Sequence, residues 1–364
     1  MSYDRERKYT RDGVTIYNDD VLKLYQKWDT PLVIISDGGY GISGFPGDPP
    51  EADDLPSWYE PHIAEWSKKA TPQTTLWFWN REIGWAKVHP VLEKYGWEYV
   101  FCNIWDKGMA HIAGGVNGKT LRRFPQVTEV CVYYVKKAEF KFNGRIVDVK
   151  EWLRLEWERT GLPISKTNEA CGVIDAATRK YFTKDHLWYF PPPARFGKLV
   201  EYANKHGKPE GRPYFSKDGL RSLTAEDWSL MRPKFHLETG ITNVWRELPL
   251  HNYERLKENG RIGKAIHLNQ KPLKLIELSI RASSDEGDVI WEPFGGLCTA
   301  AIASHKLKRK CFSAEINSKL YQFAVERLKD YDKSEADRNG TKRMDAFLSM
   351  EESKGNTERP PISL

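Results

Sequence analysis

The chain lacks most of the features that assign a class outright. Its 364 residues hold five cysteines (Cys102, Cys131, Cys171, Cys298 and Cys311), odd in number and with no CxxC pair, so neither a disulfide framework nor a zinc site is expected. No apolar run approaches the roughly 20 residues of a membrane-spanning helix. The opening MSYDRERKYTRDG is charged and has no apolar stretch of the kind a secretory signal carries. No internal repeat is visible. Neither charge sign dominates: 56 Lys and Arg face 50 Asp and Glu, a formal net charge of +6, which suits a polyanion partner without requiring one. These absences predict a soluble cytoplasmic protein with no membrane contact and no metal.

What is present is an aromatic-rich alternation of strands and helices. Fourteen tryptophans are enough both to fill a core and to offer stacking surfaces for bases. GVTIYNDDVLKLYQKW predicts a short strand, a turn at Asn18-Asp19-Asp20 and a short helix. PLVIIS (31–36) and TTLWFW (74–79) are continuous apolar runs, the pattern of strands buried on both faces of a parallel sheet. Helical spacing covers 57–69 and 81–96, the second interrupted by Pro90, and strands follow at 97–107 and 128–137. After residue 138 the alternation stops. Residues 138–265 are polar and rich in Pro and Gly, with helices predicted near 148–160 and 196–206. The alternation returns at KPLKLIELSIRASS, an amphipathic helix with Leu273, Ile276 and Ile280 on one face. Strand, helix, strand and helix then follow to about residue 331, and the charged remainder, 332–364, predicts a disordered tail. The whole predicts an α/β fold with a mostly parallel sheet, helices on both faces, and a separate module in the middle.

Two glycine-rich turns compete as ligand loops. SDGGYGISG contains Gly39-x-Gly41-x-x-Gly44, the spacing of a dinucleotide loop. Such a loop needs a helix to start at its glycines, and FPGDPPEADDLP follows instead, whose four prolines forbid one there. The better loop is DVIWEPFGGLCTAAIAS, a strand, then Glu292-Pro293-Phe294-Gly295-Gly296, then a helix. Its glycines let backbone approach a ligand, and Glu315 ends the next strand, where an acid holds ribose hydroxyls in nucleoside-binding α/β folds. Together they predict a nucleoside cofactor.

At these residues the chain resembles the bacterial S-adenosylmethionine-dependent DNA amino-methyltransferases. His267, Lys271-Pro272, Gly287-Asp288 and Glu292-Pro293-Phe294-Gly295-Gly296 before Thr299 follow the family's order of His, Lys-Pro, Gly-Asp and Asp-Pro-Phe-x-Gly-Ser-Gly-Thr. Glu315 to Tyr321 is similar to its Glu-to-Tyr pair, one residue longer, and Asp19-Asp20-Val21-Leu22 to its Gly-Asp-x-Leu. Asp37-Gly38-Gly39-Tyr40 matches, in position and end residues, the catalytic loop Asp/Ser/Asn-Pro-Pro-Tyr/Phe. FPQVTEVCVYYVKK resembles the strand before the target-recognition region. The order, catalytic loop before cofactor motifs, is that of the permuted beta group found in restriction–modification systems. The likeness covers roughly 14–137 and 266–330. It departs where both loop prolines are glycine, where Glu292 replaces Asp, and where Leu297-Cys298 replaces Ser-Gly.

The resemblance implies a Rossmann-like methyltransferase fold with a seven-stranded sheet. It divides the chain into a catalytic half (1–137), a recognition region (138–265) and a cofactor half (266–331). It implies catalysis by Asp37, Gly38, Gly39 and Tyr40, and binding of S-adenosyl-L-methionine by Asp19, Asp20, Lys271, Glu292, Pro293, Phe294, Gly295, Gly296, Thr299 and Glu315. Ser36, Lys119, Arg122 and Arg123 are the expected contacts to double-stranded DNA, with Arg179, Lys180 and Arg195 as further phosphate candidates. A cognate restriction endonuclease and a homodimer are the other implied partners. Asp at the loop's first position favours N6 of adenine over N4 of cytosine, Ser36 beside it keeps cytosine open, and the Gly-Gly change leaves an inactive DNA-binding homologue as a further reading. An RNA or small-molecule methyltransferase of the same fold is a rival that the large middle region disfavours.

Overall fold

A computed structural model describes residues 7–43, 47–108, 120, 122–209, 211–250 and 270–331. One sheet of nine strands organises the molecule. The chain enters through a hairpin, β1 (Lys8–Arg11) and β2 (Val14–Tyr17), whose turn residues Asp12 and Gly13 have φ of 47° and 81°. Positive φ at both positions is the geometry that Asp-Gly favours in tight hairpins. Two short 3₁₀ turns, Val21–Lys23 and Tyr25–Lys27, stand where one short helix was expected. β3 (Val33–Ser36), α1 (Leu55–Lys69), β4 (Thr75–Asn80), α2 (Glu82–Lys94) and β5 (Trp97–Asp106) follow, and β6 (Thr128–Lys136) returns between β4 and β5.

The middle region begins with a second hairpin, β7 (Glu139–Phe142) and β8 (Arg145–Asp148), turning at Asn143-Gly144. It continues through α3 (Val149–Arg159), α4 (Thr167–Cys171), α5 (Pro193–His206) and α6 (Ala225–Ser229). These elements bury their own core. Phe190 and Phe196 stack on the two sides of Trp228 at 4.3 and 4.1 Å, and Phe140 stacks on Trp152 at 4.2 Å. The chain rejoins the main sheet at β9 (Val244–Trp245), earlier than the boundary expected at 265. α7 (Leu273–Ser283), β10 (Val289–Glu292), α8 (Thr299–Lys306), β11 (Lys310–Ala314) and α9 (Ser318–Lys329) complete the described chain. The expected tail lies outside the described residues.

The strand order is β1-β2-β11-β10-β3-β4-β6-β5-β9. Seven strands from β2 to β5 make the expected sheet, and β1 and β9 are added at its edges. β2, β11, β10, β3 and β4 are parallel neighbours. The strand period of two divides their side chains between two cores. Val33 and Ile35 of β3 and Trp77 and Trp79 of β4 join α7, α8 and α9 on one face. Ile34, Leu76 and Phe78 join α1 and α2 on the other. The tryptophans of β4 are therefore core, as sequence pattern favours for them.

This topology decides where the site must be. From β10 the chain crosses to β11 on one side, and from β3 to β4 on the other, so β10 and β3 flank the point where the winding reverses. Ligands of open α/β sheets bind outside the strand carboxyl ends at such a point. Asp37 follows β3, Glu292 ends β10, Glu315 follows β11, and Asp19 and Asp20 follow β2. β6 runs antiparallel to β4, which brings its first residues, Thr128 and Glu129, to the same edge.

Candidate active site

A cavity of about 980 Å³ opens at these strand ends. Asp37, Gly38, Gly39 and Tyr40 line it together with Glu292 through Gly296, Thr299, Glu315, Lys271, Asp19 and Asp20. Residues from the two ends of the sequence thus share one pocket.

The turn after β3 is packed tightly although it has no proline. A Cβ on Gly38 would lie 2.6 Å from Phe294 Cδ2 and 2.7 Å from the Tyr59 hydroxyl. A Cβ on Gly39 would lie 2.9 Å from Pro49 and 3.1 Å from Asp48 Oδ1. The volume that proline rings would fill is taken by neighbouring side chains. The Gly39 carbonyl accepts hydrogen bonds from Tyr59 Oη (3.1 Å) and Asn80 Nδ2 (2.8 Å). Tyr40 N–H donates to Asp48 Oδ2 (3.1 Å), and Arg81 donates to the carbonyls of Tyr40 and Gly41. The long proline-rich loop therefore folds back on the turn through Asp48 and Pro49. The hydrogen bonds found to the Gly-Gly pair go to Gly39, not to the Gly38 carbonyl.

Asp37 is held by side chains. Its Oδ1 is 2.9 Å from Lys271 Nζ and accepts from the Tyr40 hydroxyl at 2.8 Å. Lys271 is only 3% exposed and lies 3.3 Å from Glu129 Oε2, which is also 3.2 Å from the Tyr40 hydroxyl. Glu129 Oε1 pairs with Lys107 at the end of β5. Two cations and two carboxylates balance in a buried cluster. Burial works to discharge Lys271, but Asp37 and Glu129 outweigh it and raise its pKa. Burial likewise opposes ionisation of Glu129, and Lys271 and Lys107 overturn that, lowering its pKa. The Tyr40 hydroxyl is pushed well above its ordinary pKa by burial, then by Asp37 and Glu129, so it stays protonated and donates. Lys271, expected among the cofactor residues, has its ammonium on Asp37 instead. Its ammonium also sits 4.9 Å from the centre of the Tyr40 ring.

The other half of the pocket is built differently. Glu292 accepts the N–H groups of Ala300 (2.6 Å) and Ala301 (3.0 Å) and the Ser313 hydroxyl (2.7 Å). It thereby satisfies donors that the start of α8 would leave open. Burial pushes its carboxyl up to about 7, against these three donors. Gly295 has no room for a side chain: a Cβ would meet Cys298 Sγ at 2.7 Å and the Ala314 carbonyl at 3.0 Å. Gly296 and Cys298 both have positive φ, 53° and 51°, which brings the loop round into α8. Glu315 accepts Gly296 N–H and Asn317 N–H, each at 2.7 Å, and burial raises its pKa. Arg327 donates to Thr299 Oγ1 at 3.1 Å. Asp20 caps the 3₁₀ turn through Leu22 N–H, and Asp19 accepts from Asp20 N–H and Lys23.

His62 of α1 also lines the cavity, packed on Phe294. Burial pulls its pKa down to about 4, and its Nδ1 bonds the Tyr25 hydroxyl at 3.0 Å. Sequence reasoning missed His62, Asp48, Tyr59, Asn80, Lys107 and Glu129. Only Glu129 carried a local signal, a carboxylate opening an otherwise apolar strand.

The expected DNA contacts fare unequally. Ser36 is fully buried at the end of β3 and has no surface to offer DNA, which corrects that expectation. Arg122 and Arg123 are exposed in the segment leading to β6. Lys119 and His267 lie outside the described residues. Arg195 donates to the Tyr181 hydroxyl at 3.0 Å. Among the described residues, no helix is long and apolar enough to cross a membrane.

Comparison with known proteins gives the site its context. Residues 32–326 match the DNA methylase family of N6/N4 methyltransferases. The type II methyltransferase M.HpaI of Haemophilus parainfluenzae is 33% identical over 162 residues, 43% of this chain and 48% of that protein. The chain spans about half or less of the length of the curated relatives it matches. Among solved structures, the cytosine-N4-specific PvuII DNA methyltransferase shares the fold, with a TM-score of 0.51 and 12% identity over 89% of this chain and 94% of that one. An M1.HpyAVI–SAM complex aligns at a TM-score of 0.45 and 16% identity, over 86% of this chain and 98% of that one. A family match across most of its length, on a sheet with this strand order, makes the chain a member of the DNA methylase family of N6/N4 amino-methyltransferases.

Proposed function

We propose that this protein transfers a methyl group from S-adenosyl-L-methionine to the exocyclic amine of a base flipped out of duplex DNA, with N6 of adenine ahead of N4 of cytosine. The observation that carries the reading is the shared cavity. Asp37, a carboxylate able to hold an amine, and the Glu292–Gly296 and Glu315 loops, suited to a nucleoside, line the same 980 Å³. The cofactor fits the residues present, because Gly295 leaves bare backbone against the pocket and Glu315 keeps acceptor capacity after its two backbone bonds. When bound, it supplies an electrophilic methyl group on a sulfonium. Gly295, Gly296, Thr299 and Glu315 would hold it, with Asp19 and Asp20 at the far end.

An exocyclic amine is a weak nucleophile because its lone pair is drawn into the ring. Two acceptors on its two N–H bonds pull the nitrogen toward tetrahedral geometry. Asp37 is one, through Oδ2, since the contacts described to it use Oδ1. The Gly38 carbonyl is the other, since Tyr59 and Asn80 bond its neighbour at Gly39 and fix the turn. Positive charge grows on nitrogen as the new C–N bond forms, so both acceptors stabilise the transition state more than the ground state. The electron pair of the broken C–S bond would stay with sulfur, and the methylated nitrogen would release one proton to solvent at the open mouth of the cavity. Tyr40 offers its ring to the extruded base on the face away from Lys271, and unstacking makes a flipped base the accessible substrate. Ser36 is buried, so Asp37 is the loop's acceptor, which favours adenine on the family resemblance.

Residues 138–231, with their own core, are the target-recognition region in this reading, and Arg122 and Arg123 reach phosphate. It extends to a partner restriction endonuclease, as type II names of the curated relatives suggest, and to a homodimer. The test is incubation of purified protein with labelled cofactor and unmethylated duplex DNA, then digestion to nucleosides and mass spectrometry. N6-methyladenine is the expected product. N4-methylcytosine would reassign the base, and bound cofactor with no label in DNA would overturn the reading.

A further inference from the structure

The buried Lys271 ammonium occupies an oxygen of the carboxylate that a target amine has to reach. It lies 2.9 Å from Asp37 Oδ1, just after β3, and 3.3 Å from Glu129 Oε2, at the start of β6, across the end of the intervening β4. With 3% of its surface exposed, it depends on these two carboxylates for its charge partners. A buried cation that loses its only counter-ion is strongly unfavourable. Glu129 is the second counter-ion, and it is steadied from behind by Lys107. The Tyr40 hydroxyl stands in the same relation to both carboxylates, 2.8 Å from one and 3.2 Å from the other.

We propose that Glu129 is a positioning residue that takes over the Lys271 ammonium when the substrate amine settles on Asp37. The inference rests on the methyltransferase reading of the site. In the free enzyme Lys271 holds Asp37 in place, standing in for the amine. As the amine's N–H groups approach, Asp37 gives up its share of the ammonium and Glu129 keeps it. No proton moves and no bond breaks in the hand-over; only the ion pair is repartitioned. Without the Glu129 charge, Asp37 is the one carboxylate paired with Lys271 among the described residues, and Lys271 competes with the substrate for it.

The competition makes a prediction that a purely structural role does not. Glu129→Gln keeps the shape and removes the charge. It should lower the single-turnover methylation rate on the order of 100-fold, with the dissociation constant for S-adenosylmethionine changed less than about twofold. Adding Lys271→Met to Glu129→Gln removes the competitor and should recover about tenfold of the lost rate. Glu129→Asp, which keeps the charge at shorter reach, should fall between wild type and Glu129→Gln. Cofactor binding, measured by calorimetry, reports that each variant is folded, and Glu129→Asp carries the test if the glutamine variant is not. A wild-type rate in Glu129→Gln overturns the proposal, as does a double variant no faster than Glu129→Gln or a Glu129→Asp as slow as it. A wild-type enzyme that never labels DNA instead overturns the methyltransferase reading, so the two failures are distinguishable.

Discussion

Two glycine-containing turns stand side by side at the carboxyl ends of β3 and β10, and they spend their acidic groups in opposite ways. In the turn after β10, Glu292 and the neighbouring Glu315 are held mainly by backbone N–H groups, from Ala300 and Ala301 and from Gly296 and Asn317. In the turn after β3, the partners described for Asp37 are side chains, Lys271 and Tyr40. Backbone donors cannot leave without unfolding the loop, so Glu292 and Glu315 shape the pocket. Side-chain donors can be exchanged for a substrate, so Asp37 retains chemistry. The tight backbone of each turn has a different origin too. Gly295 is pressed against backbone and Cys298, whereas Gly38 and Gly39 are pressed by the side chains of Phe294, Tyr59, Pro49 and Asp48.

The strongest way to break this comparison is to remove the exchangeable carboxylate. Asp37→Ala should reduce methyl transfer on the order of 10³-fold while the dissociation constant for S-adenosylmethionine stays within about twofold. Single-turnover kinetics and calorimetry check the pair. A variant that loses cofactor binding and activity together would place Asp37 in the shaping class after all.

Much of this arrangement was legible before any coordinates. The buried runs at 31–36 and 74–79, the glycine loop before α8 and the acid after β11 are local signals, and Asp37, Glu292, Glu315, Asp19 and Asp20 sit where a parallel sheet puts strand ends. The proline run after Gly44 argues against a helix at the first turn, and the next elements are the 3₁₀ turn Ala52–Asp54 and then α1 from Leu55. What escaped was of two kinds. The hairpins at Asp12-Gly13 and Asn143-Gly144 had short-range signals that went unread, because their strands are only four residues long. Glu129 and Lys107 escaped for a deeper reason. Their place in the site depends on β6 pairing antiparallel between β4 and β5, a non-local register. Asn80 reaches Gly39 from the end of β4, across the parallel β3–β4 pair. Gly38 and Gly39 looked like the weak point of the catalytic turn for the same reason, since the packing that replaces the prolines comes from α1, the long loop and the turn after β10.

Two substitutions sharpen the contrast between the turns. Gly295→Ala should cost about 1–3 kcal/mol of stability and weaken cofactor binding, since backbone and a buried thiol stand in the way. Gly38→Ala should leave the cofactor bound and slow transfer, because the displaced groups are the Phe294 ring and the Tyr59 hydroxyl beside the amine site. Chemical denaturation and the same two assays separate them. The pH dependence of folding, compared between wild type and Glu292→Gln, isolates Glu292 from the other buried groups. Burial holds its carboxyl at about 7 in the folded chain against an ordinary 4.5. Between these values the folded state keeps a proton that the unfolded state releases, so this group's contribution is greatest below pH 4.5 and declines toward pH 7. The decline should be about 3 kcal/mol, and Glu292→Gln should remove Glu292's share of it. An unchanged pH profile in that variant would show that the three donors hold the group ionised throughout.

The smallest expected effect tests the claim that the Gly-Gly turn is fixed from outside. Tyr59→Phe deletes one of two donors to the Gly39 carbonyl, at 3.1 Å, and leaves Asn80 in place at 2.8 Å. The carbonyl keeps a partner, so no buried acceptor is orphaned and the loss of stability should be only about 0.5–1.5 kcal/mol. The Tyr59 hydroxyl also bounds the space over Gly38, so its removal leaves that residue slack on one side. If the Gly38 carbonyl is an acceptor for the amine, this slack should lower the single-turnover rate severalfold, and should leave cofactor affinity untouched. Loss of stability without loss of rate would mean that Asn80 and Phe294 alone hold the turn, and that the tyrosine contributes packing and nothing to the chemistry.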